Sequence, residues 1–399
     1  MFTPKQLSNY ADVLLWGLKK ARKKKFKHGE IIMVHYDAAA GALAEQLQAR
    51  ILSAGINPVM RSSGTFVMES NLFHRGNDRQ LVFQAPGTKE LFESLHGSIY
   101  LYAPESLTHL KDVDPKRIAI AAVSRKPLRD ILFRREETGW FGWTLCMVPT
   151  PALAKHAKIS ASEYAREIIK ACFLQKNDPV GEWESVYRDA LSIKKWLNSL
   201  KVKSYSVEAE TFSLRITPGE RRKWIGISGH NIPSFELFLS PDWRGTEGSY
   251  YADQPSYRSG NYVQGVRLGF RKGSAVTVKA ETGDKFVKSQ LSMDGGANKI
   301  GEFSLTDKRF SKINRFMANT LFDENYGGRY GNCHIALGSS YSDTYDGDVG
   351  ALTAAVKKKL GFNDSALHWD LVNTERKTVS ADLVSGKRVV IYEDGKFRY

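Results

Sequence analysis

The sequence predicts an α/β protein with an N-terminal domain built on an open, mostly parallel sheet and a C-terminal domain of mixed α+β character. Three observations predict it. Helical and strand-like segments alternate through the first half, as a parallel sheet with crossover helices requires. From Lys201 the composition turns to β-rich segments punctuated by glycine, which divides the chain into 1–200 and 201–399. At 399 residues the chain is also long for a single small core.

The elements follow in order. Lys5 to about Lys24 reads as an amphipathic helix with Leu7, Ala11, Leu14, Leu15 and Leu18 on one side. Glu30–His35 is a short apolar strand, Ala38–Ala54 a helix and Pro58–Arg61 the next strand. A helix near Lys89–Leu95, strands Ser98–Tyr102 and Arg117–Ala122, a helix around Leu128–Arg135 and a strand Trp143–Val148 continue the alternation. Pro149 and Pro151 break that strand, and Ser160 or Ser162 caps a helix running to Phe173. Gly181–Leu200 is a helix whose Trp183, Val186, Tyr187, Leu191 and Trp196 recur at core-packing spacing. Beyond it, Ser206–Ile216, Tyr262–Phe270 and Val276–Ala280 read as strands.

Composition bounds the function. The hydrophobic fraction of 42% is ordinary for a globular chain. Three scattered cysteines form no disulfide framework, no apolar run is long enough to span a bilayer, and the start has no signal-like segment, so a cytoplasmic location is expected. A net charge of +15 invites a nucleic-acid reading, but it is spread over both halves. The one dense cluster, Lys19 to Lys27, sits where the opening helix should end, where cations complement the helix dipole. No spaced-glycine fingerprint follows the first strand, and no Walker loop is present.

The tail concentrates side chains that a divalent cation uses. His368 and Asp370 lie one residue apart in the strand-like Ala366–Val372, so alternation points both to one face. His334 precedes Ile335-Ala336-Leu337-Gly338, with Tyr341 seven residues on. Glu302 follows Gly301, Glu324 lies in Asp323-Glu324-Asn325, and Glu236 is an acid flanked by apolar residues. Taken singly, each has an ordinary reading as a core histidine, packing tyrosine, helix cap or surface ion pair. The grouping argues for metal. Tyr250, Tyr251, Tyr257 and Tyr262 lie in a polar segment that reads as a surface loop or as the lining of a pocket.

The ordered set Asn231-Ile232-Pro233 to Glu236, Glu247-Gly248, Gly301-Glu302, Asp323-Glu324-Asn325, Cys333-His334-Ile335-Ala336-Leu337-Gly338 with Tyr341, and His368-Trp369-Asp370 resembles the thermophilic metallo-aminopeptidase family of the aminopeptidase T and S type. Pro149 to Lys155 and Asp394 to Phe397 resemble other segments of that family, so the likeness runs over nearly the whole chain. The resemblance implies that Glu236, Glu302, His334, Tyr341, His368 and Asp370 ligate two divalent ions, Zn²⁺, Co²⁺, Mn²⁺ or Mg²⁺, with Glu302 bridging. It implies that Glu324 is general base or further ligand, and that Tyr341 is ligand or oxyanion donor. It also implies short peptide substrates and a homodimer. Two segments, 326–331 and 344–363, are longer than the family pattern, and the second borders the expected substrate entrance. The alternatives are a basic nucleic-acid or ribosome-associated binding protein and a metallohydrolase acting on another ester or amide class.

Overall fold

The computed structural model describes residues 2–399. Its first sheet is parallel, in the order Asn57–Ser62, Ile31–Tyr36, Gly97–Tyr102, Gly142–Met147, Asn231–Ile232. Alternation within Ile31–Tyr36 sends Ile32 and Val34 to one face, into the main core with Leu14, Leu18, Leu43 and Leu47 of the helices Pro4–Ala21 and Gly41–Ser53. Met33 goes to the other face with Leu91 and Leu132 of the helices Thr88–Ser94 and Pro115–Glu137. Both faces are therefore covered, as the run of apolar strand residues demands.

One expected element is corrected. Residues Arg117–Ala122 are not a strand but the first turns of the helix Pro115–Glu137. A short apolar run reads equally as strand or buried helix. What decides is the N-terminus: Asp114 accepts a hydrogen bond from the Lys116 amide and Pro115 occupies the first helical position, where its missing N–H costs nothing. Ser160 caps the helix Ala161–Ala171 through a capping box with Glu163. Three short helices, Phe66–Arg75, Asp78–Leu81 and Pro151–His156, were not anticipated.

The second half is antiparallel. An eight-stranded sheet runs Ser274–Lys279, Val266–Arg271, Asp242–Ala252, Ser213–Thr217, Val202–Ala209, Lys377–Leu383, Arg388–Glu393, Lys396–Phe397. Against it packs a four-stranded sheet in the order His368–Asn373, Asn332–Gly338, Ile300–Thr306, Glu236–Leu239. Tyr250 ties the two together, its hydroxyl donating to the carbonyls of Cys333 and Leu371 at 3.1 and 2.7 Å. Tyr250 thus belongs to the core rather than to a surface loop, and Tyr257 and Tyr262 face each other across a small hairpin. The fifth strand of the parallel sheet, Asn231–Ile232, comes from beyond residue 201, so the chain re-enters the first sheet just before Glu236.

The basic cluster is engaged with its own chain. Arg22 is buried in a bidentate pair with Glu30, and Lys24 lies over the Trp140 ring at 3.6 Å. No helix among the described residues is long and apolar enough to cross a membrane.

Candidate metal centre

The four-stranded sheet assembles the site through its period of two. On one face it carries Leu237 and Leu239, Phe303 and Leu305, Cys333, Ile335 and Leu337, Trp369 and Leu371, all buried apolar residues. The other face receives Glu236, Glu302 and Ser304, His334, His368 and Asp370. Register then brings them side by side: Glu302 pairs with Ala336, Ala336 with Asp370, and Ser304 with His334. A methyl group is all that separates Glu302 from Asp370 along that row, which leaves room above it.

His334 is the centre of the group. Its Nε2 lies 3.1 Å from Glu236 Oε2, 3.2 Å from Glu302 Oε1 and 3.9 Å from Asp370 Oδ1. His368 Nε2 lies 3.4 Å from Asp370 Oδ1 and 3.8 Å from Glu302 Oε2. The Nδ1 hydrogen of His368 is donated to the Ser339 carbonyl at 2.8 Å, which turns the other nitrogen toward the carboxylates. Ser304 donates to Glu236 Oε2 at 2.7 Å. Glu324, on the last turn of the helix Thr320–Asp323, accepts from Asn231 Nδ2 at 2.9 Å. Asn325 accepts from the Phe235 amide at 2.5 Å, so the turn bearing Glu324 and the loop leading to Glu236 hold each other. The Tyr341 ring stands 4.7 Å from that of His368 and lines the cavity.

The charges are out of balance. Burial pushes Glu302 up to about 7, with the Glu236 charge adding to it and His334 opposing. Burial together with Glu236 and Asp370 drives Glu324 well above the carboxylate range. Burial also opposes ionisation of Asp370, yet His368 and His334 hold it down to about 2. His334 rises well above an ordinary imidazole, because Glu236 and Glu302 outweigh the burial that would lower it. Three buried carboxylates and the partly buried Asp370 around two imidazoles form an arrangement that a shared cation would balance.

The donors fit one. Glu236, Glu302 and His334 each present a ligand atom within 4.8 Å of the others. Oxygen and nitrogen donors bound to one ion at about 2.0–2.2 Å lie roughly 3 Å from each other, close to the separations His334 already shows. Above the sheet lies a cavity of about 450 Å³ lined by Glu236, Glu302, Glu324, Tyr341, His368 and Asp370. Its walls also include residues the sequence did not single out, Tyr100, Tyr102, Glu136, Trp143, His230 and Arg258. His230 bridges Ser228 and Glu136, each at 2.7 Å. Strand parity would have found Ser304; nothing in the sequence marks Arg258.

A sheet-borne set of carboxylates and histidines, floored by apolar residues and open to a cavity, is the donor set that a hydrolytic metal centre requires. The signature of the thermophilic metalloprotease (M29) family matches residues 3–397, and the chain belongs to that family. It is similar to aminopeptidase 2 of Geobacillus stearothermophilus, 26% identical over 93% of this chain and 94% of that one. It is likewise 26% identical to aminopeptidase AmpS of Bacillus subtilis, over 79% and 80% of the two chains. The fold of wild-type AmpT from Thermus thermophilus superposes with a TM-score of 0.78 at 20% identity, covering 98% of this chain and 99% of that one. The protein is a metallo-aminopeptidase, a hydrolase of peptides that works with a divalent metal.

Proposed function

We propose that the enzyme removes amino-terminal residues from short peptides with the help of two divalent ions, which Glu236, Glu302, His334, His368 and Asp370 would hold. The observation that carries this reading is the convergence of five donors from four adjacent strands onto one buried face. Bound there, the ions supply Lewis acidity, which lowers the pKa of water and polarises the scissile carbonyl. Glu324, oriented by Asn231, takes the proton of the attacking water and returns it to the leaving amine. Tyr341 serves the same centre as ligand or as donor to the developing oxyanion; Tyr341→Phe separates these, since losing a ligand lowers bound metal and losing a donor lowers kcat alone.

In this reading residues 201–399 carry the chemistry and 1–200 wall the cavity and support assembly. The cavity of about 450 Å³ supports short substrates. Exposed apolar side chains in the first half, Phe66, Met68, Phe83 and Ile120, support a homodimer. Three buried free cysteines support a reducing, cytoplasmic setting.

The test is hydrolysis of aminoacyl chromogenic amides by metal-stripped protein before and after adding Zn²⁺, Co²⁺, Mn²⁺ or Mg²⁺, with bound metal counted per chain. Activity should return as the second equivalent binds. Indifference to metal, or full activity in His368→Ala, refutes the reading, and saturation at one equivalent refutes the paired ions.

A further inference from the structure

Arg258 has no part in the chemistry above, although it lines the same cavity. It ends the strand Ser256–Arg258, and its Nη1 donates to the His368 carbonyl at 2.9 Å. The guanidinium stands 5.4 Å from the Trp369 ring. Its Nε is sealed from solvent with no hydrogen-bond partner among the described residues, and the charge of Asp370 reaches it without forming an ion pair with it. A second guanidinium stands nearby. Arg129, held by the carbonyls of Ser365 and Ala366, also has a buried Nε without a partner, and it repels Arg258. Folding alone does not reward two repelling cations placed without a counter-ion. An anion that arrives with the substrate accounts for them.

The direction of the cavity says which anion. Glu236 lies on the edge strand Glu236–Leu239 of the four-stranded sheet, Glu324 feels its charge from the end of the helix Thr320–Asp323 and is held by Asn231, and beside Asn231 stands the His230–Glu136 pair. That acidic end suits a free α-amine. Arg258 is fastened to the strand His368–Asn373 at the opposite edge, where the chain beyond the cut would run.

Building on the peptidase reading above, we propose that Arg258 receives a substrate carboxylate on the leaving-group side of the scissile amide, so that the enzyme favours peptides whose anion falls within a residue or two of the cut. The carboxylate is the C-terminus of a di- or tripeptide, or an acidic side chain just after the cut. Both offer the planar pair of oxygens that a guanidinium binds in bidentate fashion.

The experiment compares kcat/KM of the metal-loaded enzyme for Leu-Ala, Leu-Ala-amide and Leu-Asp-amide. Leu-Ala should exceed Leu-Ala-amide by roughly tenfold to a hundredfold, the worth of one charge-assisted pair, mostly through KM. Arg258→Met should bring that ratio close to one, and Arg258→Lys should restore part of it. A high rate for Leu-Asp-amide identifies a side-chain carboxylate as accepted; a low one confines recognition to the terminus. A wild-type ratio near one overturns the proposal without any variant, and so does a ratio that survives Arg258→Met. If the metal-loaded enzyme cleaves none of the three, the peptidase reading falls and this one with it; if it cleaves all equally, only the role of Arg258 falls.

Discussion

Glu324 and Glu302 are both buried acids beside His334, yet they call for different outcomes on substitution. On the proposed role of Glu324 as general base, Glu324→Gln keeps the hydrogen bond from Asn231 but can no longer take up a proton, so kcat should fall by about 10² to 10⁴ with bound metal unchanged, measured by turnover and elemental analysis on the same sample. A parallel loss of metal would make Glu324 a ligand instead. Glu302→Gln should lower metal content and activity together. His368 and Asp370 were legible in the sequence because two donors one residue apart in a strand must share a face. Glu236 was legible as an acid among apolar residues, which is rarely tolerated without a counter-charge. Arg258 was not, because its meaning lies in the absence of a partner, a property of three dimensions.

Among the elements, strands were read more surely than the boundaries between helix and strand. The segment from Ile118 to Val123 has no periodicity to separate the two, and the cap at Asp114 settles it only once the backbone is seen. The helix Pro179–Ser199 and the core packing of its aromatics were read from their spacing, but not which residue Trp183 would meet. Trp183 is fully buried and stacks on Phe235 with centroids 5.3 Å apart, one residue before Glu236. Trp183→Ala should therefore cost about 3–5 kcal/mol in unfolding free energy, seen by denaturant titration, and also weaken metal binding. A retained metal affinity would show that Glu236 is placed without this contact.

The opening helix and first strand are joined by Arg22 and Glu30, bonded at 2.8 Å through Nη2 and Oε1. Burial raises the Glu30 carboxyl, but the bonds from Arg22 and the Lys27 amide outweigh it, so the folded pKa lies below the ordinary value. The stabilisation is full above about pH 4.3, the unfolded value, and is lost as the pH falls through the lower folded one. Glu30→Gln should destabilise by about 3 kcal/mol at neutral pH, because Arg22 is left buried alone, and the gap from wild type should close on acid titration.

For the molecule as a whole, the alternation of helices and strands revealed the first sheet, and the change at Lys201 revealed where antiparallel pairing begins. What could not be read was the return of Asn231–Ile232 to the parallel sheet, since two residues carry no pattern of their own. The positive charge also reads differently in three dimensions: much of the basic cluster is paired within the chain, so peptidase activity should be unaffected by added RNA and abolished by a chelator. Sensitivity to RNA at low salt would reopen the nucleic-acid reading.

That returning strand has a practical consequence. A polypeptide severed at residue 200 would leave one fragment with an incomplete sheet and the other with a glutamate that has lost its mooring. Neither piece should turn over substrate by itself, and mixing the two should revive catalysis only to the extent that they dock.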